Sequence, residues 1–143
     1  MILIDSNILI YAYDETSPHH EAARRWLDGA VAEEDEIAIP LISLLAFMRV
    51  MTDPSLFGSP MGVADAGEIV AEWLSLPNVG MVQPTGRHFA LLAELAQAGQ
   101  ARGAMMMDAH LAALAIEHVA TVCTTDRDFA RFKGLRLEDP IGS

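Results

Sequence analysis

The stretch MILIDSNILIYA, residues 1–12, decides the fold class. Ile2, Leu3 and Ile4 form an unbroken apolar run too short for a helix, and Asp5-Ser6-Asn7 stops it at once; this is the pattern of a strand buried on both faces. Ile8, Leu9, Tyr11 and Ala12 then start a helix. A short apolar strand leading through a polar turn into a helix is the opening unit of a parallel sheet. Its polar residues sit at the strand's carboxyl end, where such sheets bind ligands.

The alternation continues outward. Ser17 and Pro18 offer an N-cap and a first-turn proline for a helix whose apolar stripe is Ala22, Ala23, Trp26, Leu27, Ala30 and Val31. The run Glu33 to Glu36 is expected as a solvated turn before a strand at 37–39. Pro40 suits the first turn of a helix bearing Leu41, Leu44, Leu45, Met48 and Met51, which Asp53-Pro54 ends. A loop at 54–62, a helix at 63–76 and a strand at 79–82 follow. Thr85 is expected to cap a helix running to Ala98, with Gly99 as its C′ residue. A helix starting near Asp108, a strand at 121–124, a short helix at 129–132 and a strand at 135–137 complete an α/β chain with a parallel central sheet flanked by helices. One domain over residues 1–143 is expected, with no repeat and no linker.

Composition narrows the function. The 143 residues carry 9 Lys and Arg against 20 Asp and Glu, a net charge of −11 and a pI near 4.6, which excludes nucleic-acid binding by bulk phosphate neutralisation. The one cysteine, Cys123, excludes an internal disulfide framework and a cysteine-rich zinc site, and suits a reducing cytoplasm. The start lacks a basic region ahead of its apolar run, so it is not expected as a signal peptide, and no stretch reaches the roughly 18 apolar residues that span a bilayer.

Asp5 and Asp126 are both expected at carboxyl ends of strands, and Asp108 at a helix N-terminus that tolerates an anion. Carboxylates gathered in one cleft repel one another unless a divalent cation neutralises them, and oxygen ligands favour Mg2+ or Mn2+ over zinc. Such a site can activate a water against a phosphodiester. Each residue also has a plainer reading: Asp5 and Asp108 as helix caps, Asp126 and Asp128 as holders of the turn TTDRDF. Spacing does not separate the two readings.

Three segments together do: MILIDSNILIYA at the start, MDAHLAALAIEH in the last third and TTDRDFARF near the end. With PTGRHFALLAEL and the closing KGLRLEDP, they closely resemble the PIN-domain ribonucleases that act as VapC-type toxins of type II toxin–antitoxin pairs. The resemblance implies a PIN-like sheet, an acidic pocket for Mg2+ or Mn2+, and cleavage of an RNA substrate. Position by position it implies Asp5, Asp108 and Asp126 as catalytic metal ligands, and Asp128 as an accessory acid. It also implies Asn7 and Thr125 as polar neighbours that orient Asp5 and Asp126. The implied partner is a VapB-type antitoxin that pushes a basic side chain into the acidic pocket, with the toxin a homodimer.

One position departs. The family carries a Glu in a pattern like LLEFLRV, where this chain reads Leu44-Leu45-Ala46-Phe47-Met48-Arg49-Val50. Ala46 cannot ligate a metal or take a proton, so the expectation is an intact fold and a weakened or inactive nuclease. The alternative is a catalytically dead PIN domain that binds antitoxin or RNA. A phosphatase using Asp5 as nucleophile is set aside, because Asn7 stands where such enzymes place a second Asp. Arg102 and Arg127 are the arginines expected nearest the pocket. The five histidines are not assigned a role: His19 and His20 begin an exposed helix, His88 and His118 lack ligand spacing, and His110 is read as structural. Cys123 is read as a small buried hydrophobe.

Overall fold

Strands apolar on both faces need a cover on both sides. The computed structural model describes residues 1–33 and 35–142; Glu34, within the expected acidic turn, lies outside the described residues, as does Ser143. Among the described residues there are five strands: β1 (Ile2–Ile4), β2 (Ile37–Ala38), β3 (Val79–Gly80), β4 (Thr121–Cys123) and β5 (Arg136–Glu138). They alternate with α1 (Ser6–Tyr13), α2 (His20–Ala32), α3 (Leu41–Met51), α4 (Val63–Ser75), α5 (His88–Ala98) and α6 (Met105–Glu117), and a 3-10 turn (Arg127–Arg131) joins β4 to β5.

All strand pairings are parallel, in the order β3-β2-β1-β4-β5. The chain builds from β1 outward through β2 and β3, then returns to place β4 on the other side of β1, with Ile4 opposite Cys123. The order therefore reverses between β1 and β4, which opens a crevice at their carboxyl ends.

Period-two alternation sorts the core. Leu3, Ala38 and Val122 pack toward α5 and α6, whereas Ile4, Ile37 and Ile39 pack toward α1 to α4. In α6, Ala109, Leu111, Ala112, Ala113, Leu114 and Ala115 are all buried. Small side chains around most of its girth let this helix sit close against the sheet. On the opposite face Phe47 and Trp73 meet edge-on with centroids 4.8 Å apart, and Tyr13 closes on both. No helix among the described residues is long and apolar enough to cross a membrane.

Several element ends differ from expectation for identifiable reasons. Helix α6 begins at Met105, not near Asp108, so Asp108 lies in its first turn and is not a cap; Ala104 at the N-cap makes no side-chain bond. Ser17 accepts the His19 N–H in a turn of its own, and α2 starts later, at His20. Thr85 likewise accepts the Arg87 N–H, and α5 begins only at His88. Gly99 ends α5 in right-handed geometry, and Gln100 takes the positive φ of 55°. Space at 99 is tight: an added Cβ would stand 3.0 Å from the Leu95 carbonyl oxygen and 3.2 Å from that of Arg131. Strand β2 ends at Ala38, although the Ile39 N–H still donates to the Gly80 carbonyl at 2.9 Å, and β3 ends at Gly80, short of the expected 79–82; Pro40 has no N–H to carry β2 further along β1.

Candidate active site

The crevice between β1 and β4 gathers the carboxylates. The Asp5 N–H donates to the Cys123 carbonyl at 3.1 Å, which continues the parallel ladder one step past the strands. That step sets Thr124 beside Asp5. The Thr124 hydroxyl donates to Asp5 Oδ2 at 2.8 Å, and the Ser6 N–H donates to Oδ1 at 2.8 Å, so each carboxylate oxygen is fixed by one donor. Thr124 Oγ1 also accepts the Asp126 N–H at 3.0 Å and Asn7 Nδ2 at 3.2 Å. One hydroxyl thus joins the ends of the two strands. Asp126 Oδ1 accepts the Asp128 N–H at 2.9 Å, which caps the 3-10 turn.

Asp108 reaches the same crevice from α6. With Asp5 it lines a cleft of about 540 Å³ between α3 and α6. Burial, and then the charges of Asp126, Asp5 and Asp128, push the Asp108 carboxyl up to about 6, against a smaller pull from Arg131. Asp5 is also raised. Burial is the main cause; the Thr124 and Ser6 hydrogen bonds pull it back, and the Asp126 charge adds to the rise. Among the described residues the ion pairs are Arg24 with Asp28 and His88 with Glu117, so none of the three carboxylates is paired.

The donor set is all oxygen, which suits a hard cation. Among the described residues no three His, Cys, Asp or Glu side chains stand as a ready-made ligand cage. Mg2+ needs none, since it keeps several waters and takes one or two carboxylates directly. Two buried polar atoms near the crevice lack partners among the described residues, Asn7 Oδ1 and Ser43 Oγ. Residues and cation therefore fit in kind.

The positions singled out by sequence fall as follows. Asp5, Asp108, Asp126 and Asp128 are brought within electrostatic reach of one another. Asn7 donates to Thr125 Oγ1 at 2.9 Å, but neither residue hydrogen-bonds an Asp side chain; the positioning they were expected to supply comes from Thr124. Ala46 lines the cleft beside Asp5 and Asp108. Arg127 lines an adjoining cavity with Asp126 and Thr124, while Arg102 is exposed and lines none of the clefts described here. Arg49 lines the main cleft and Arg131 acts on Asp108.

Sequence reading also passed over a buried polar chain between α5 and α6. His88 Nδ1 lies 2.7 Å from Glu117 Oε2 and its Nε2 lies 2.9 Å from His110 Nδ1, while the Thr85 hydroxyl donates to Glu117 Oε1. Burial pushes the Glu117 carboxyl up, but the Thr85 and His88 hydrogen bonds outweigh it and hold it below the ordinary range. Burial and then the His88 charge push His110 down. This chain ties the two helices together, and none of its members lines the cleft.

A family model described as PIN domain matches residues 2–135. Ribonuclease VapC37 of Mycobacterium tuberculosis is 41% identical over 140 residues, which cover 98% of this chain and 97% of that protein. Ribonuclease VapC25 of the same organism is 36% identical over 142 residues, covering 99% and 100%. Among solved structures, VapBC2 from Rickettsia felis, bound to a DNA fragment from their promoter, aligns with a TM-score of 0.68 at 22% identity over 96% of this chain and 98% of that one. VapBC-1 from nontypeable Haemophilus influenzae aligns with a TM-score of 0.68 at 20% identity, over 99% and 100%. Identities this low speak to the fold, a parallel sheet flanked by helices.

Proposed function

The chain belongs to the PIN-domain family, and we propose that it is a ribonuclease toxin of the VapC kind, working with Mg2+ or Mn2+ and silenced by a VapB-type antitoxin. The observation that carries this reading is the crevice itself: Asp5, Asp108 and Asp126 arrive from three separate segments, and none is ion-paired among the described residues. The relatives named ribonuclease and the neighbours solved as VapBC complexes support the same reading.

When bound, a divalent cation neutralises the carboxylates, polarises the phosphodiester and lowers the pKa of an attacking water. The chain's own residues do the rest. Thr124 and Ser6 lock the Asp5 carboxylate in one orientation, leaving lone pairs on both oxygens for the cation. Asp108, raised to about 6, gives up its proton near neutrality and so couples cation binding to pH. Asp126 is set by its own turn and by Thr124, which makes its position depend on that of Asp5.

Ala46 weakens this machinery. A supporting group lost from a metal site costs roughly 10- to 100-fold in affinity or activity, so Ala46→Glu is expected to restore about that much. The same residue favours a second reading, a domain that binds RNA or antitoxin without cutting. Net charge −11 suits a basic antitoxin segment in either case. A homodimer in the cytoplasm completes the proposal.

The test is incubation of total RNA with Mn2+ and the wild type, Ala46→Glu or Asp5→Asn protein, with EDTA controls. Cation-dependent cleavage that Asp5→Asn abolishes supports the nuclease reading. Cleavage by Ala46→Glu alone establishes a disabled nuclease, equal cleavage by both overturns the role given to position 46, and binding without cleavage by any form supports the second reading.

A further inference from the structure

The polar chain between α5 and α6 ends on an atom that has no partner inside the fold. Glu117 and His88 side chains are each 4% exposed, and three donors converge on the Glu117 carboxylate: the Thr85 hydroxyl, the Thr85 N–H at 3.2 Å and His88 Nδ1 at 2.7 Å. A neutral His88 that gives its Nδ1 hydrogen to Glu117 keeps only a lone pair at Nε2, so His110 Nδ1 donates across the 2.9 Å contact. His110 Nε2 then carries a bare lone pair. It has no hydrogen-bond partner among the described residues and is not one of the buried unpartnered atoms, so it meets solvent. An imidazole held at one nitrogen by a carboxylate-backed acceptor, with the other nitrogen bare, is prepared as a metal ligand.

The helix that carries His110 decides which ion. Met107 and Met106 stand three and four residues before it on α6, the spacing that puts side chains on one face. Helical side chains lean toward the N-terminus, so the imidazole covers the turn that carries both methionines, while Met105, five residues before, falls on another face. Met106 is 37% and Met107 54% exposed. A methionine that fills a core gap is covered, as Met51 is; these two have no such gap to fill. Among the described residues no three His, Cys, Asp or Glu side chains gather as a ligand set, so Zn2+ finds one ligand on this face and Mg2+, which takes oxygen, finds none. Thioether sulfur joined to neutral imidazole is a soft donor set, which selects Cu(I). Burial disfavours the charged form of His110, and a ligand has to be unprotonated.

We propose that Met106, Met107 and His110 hold one Cu(I) ion at the first turns of α6, with Glu117 and His88 as positioning residues that fix the His110 ring. Two uncharged sulfurs and one imidazole nitrogen give a three-coordinate site. A buried ion pair is by itself a poor source of stability, whereas orienting an outward-facing ligand gives each member of the chain a task. The site draws on none of Asp5, Asp108 and Asp126, so a hard, oxygen-lined site and a soft one share α6 without competing for the same ion. Met107 also lines the cleft, and a bound Cu(I) therefore fixes a side chain at its rim.

The test is anaerobic titration of the full chain with Cu(I), buffered by a chromophoric Cu(I) chelator and followed by the methyl signals of 13C-labelled methionine. Saturable binding is expected to shift the Met106 and Met107 methyls and leave those of Met51 and Met61 in place, and saturating Mg2+ should not release the ion. Met106→Leu combined with Met107→Leu keeps the apolar bulk and is expected to weaken binding about tenfold or more, whereas Cys123→Ser, which alters a buried thiol, should bind as the wild type does. The ring 15N shifts of His110 should report hydrogen on Nδ1. Glu117→Gln is expected to lose that tautomer preference and about 10- to 100-fold in Cu(I) affinity. No saturable binding by the wild type, shifts that bypass Met106 and Met107, release by Mg2+, loss in Cys123→Ser or undiminished binding in the methionine double variant overturns the site. An unchanged tautomer and affinity in Glu117→Gln overturns the positioning role.

Discussion

Replacing Asp108 by Asn should make the metal-free protein more stable at neutral pH. The carboxyl has an ordinary value of 3.8 and is raised to about 6 by burial and by Asp126, Asp5 and Asp128. A group raised in the folded state contributes stability that is present below its unfolded value and is lost as pH rises through its folded value. Asp108 therefore favours the fold below about pH 4 and strains it above about pH 6. A shift of about two units corresponds to roughly 3 kcal/mol in full. Asp108 is only half-buried, so solvent screening reduces the expected effect to on the order of 1 kcal/mol. For a chain of this length that is a melting-point difference of about 3 °C. The assay is thermal melting of wild type and Asp108→Asn from pH 4 to 8 in EDTA, then in rising Mg2+. In EDTA the variant should melt higher at pH 7.5, and the difference should vanish toward pH 4. Saturating Mg2+ should reverse the order, since a cation at a hundred times its Kd adds about 2.7 kcal/mol to the protein that binds it. A variant that melts lower than wild type in EDTA at pH 7.5, or that gains as much from Mg2+, refutes the reasoning.

Other consequences follow from single contacts. Thr124→Val keeps the shape but deprives Asp5 of a donor and leaves the Asp126 N–H without its acceptor, so urea denaturation should show a loss of about 2–4 kcal/mol. Gly99→Ala forces a methyl against two backbone carbonyl oxygens, and should cost about 1–3 kcal/mol in the same assay although alanine suits the local φ and ψ. The Cys123 thiol, pushed up to about 12 by burial and by the nearby Glu138 carboxylate, should react with a disulfide reagent at pH 8 only as fast as the fold opens.

Local chemistry made much of this fold legible. The run Ile2 to Ile4 ending at Asp5 announced a buried strand, because burial on both faces leaves its mark in composition; a helix was expected from near Asp108, but not its burial around most of its girth. Element starts were harder where capping chemistry misleads. Ala104 makes no side-chain cap and so gives no sign that α6 begins ahead of the three methionines, while Ser17 and Thr85 spend their hydroxyls on turns that precede the helices. The carboxylates could be named from motifs, but Thr124 could not, since its link to Asp5 depends on the register of β1 against β4. The His88, Glu117 and His110 chain was hidden for the same reason: its members lie on different helices, and no spacing marks them. Ser43 gave no signal either, because an orphaned hydroxyl is visible only once its surroundings are packed.

The central claim is that Asp5, Asp108 and Asp126 form a divalent-cation site. Titration of the protein with Mn2+, followed by the loss of the free-ion paramagnetic resonance signal, tests it most directly. Saturable binding at pH 7.5 is expected, weakened at least tenfold in Asp5→Asn and in Asp108→Asn, and relieved as pH falls through about 6, where Asp108 takes up its proton. Binding that is unchanged in both variants, or no saturable binding by the wild type, would contradict it.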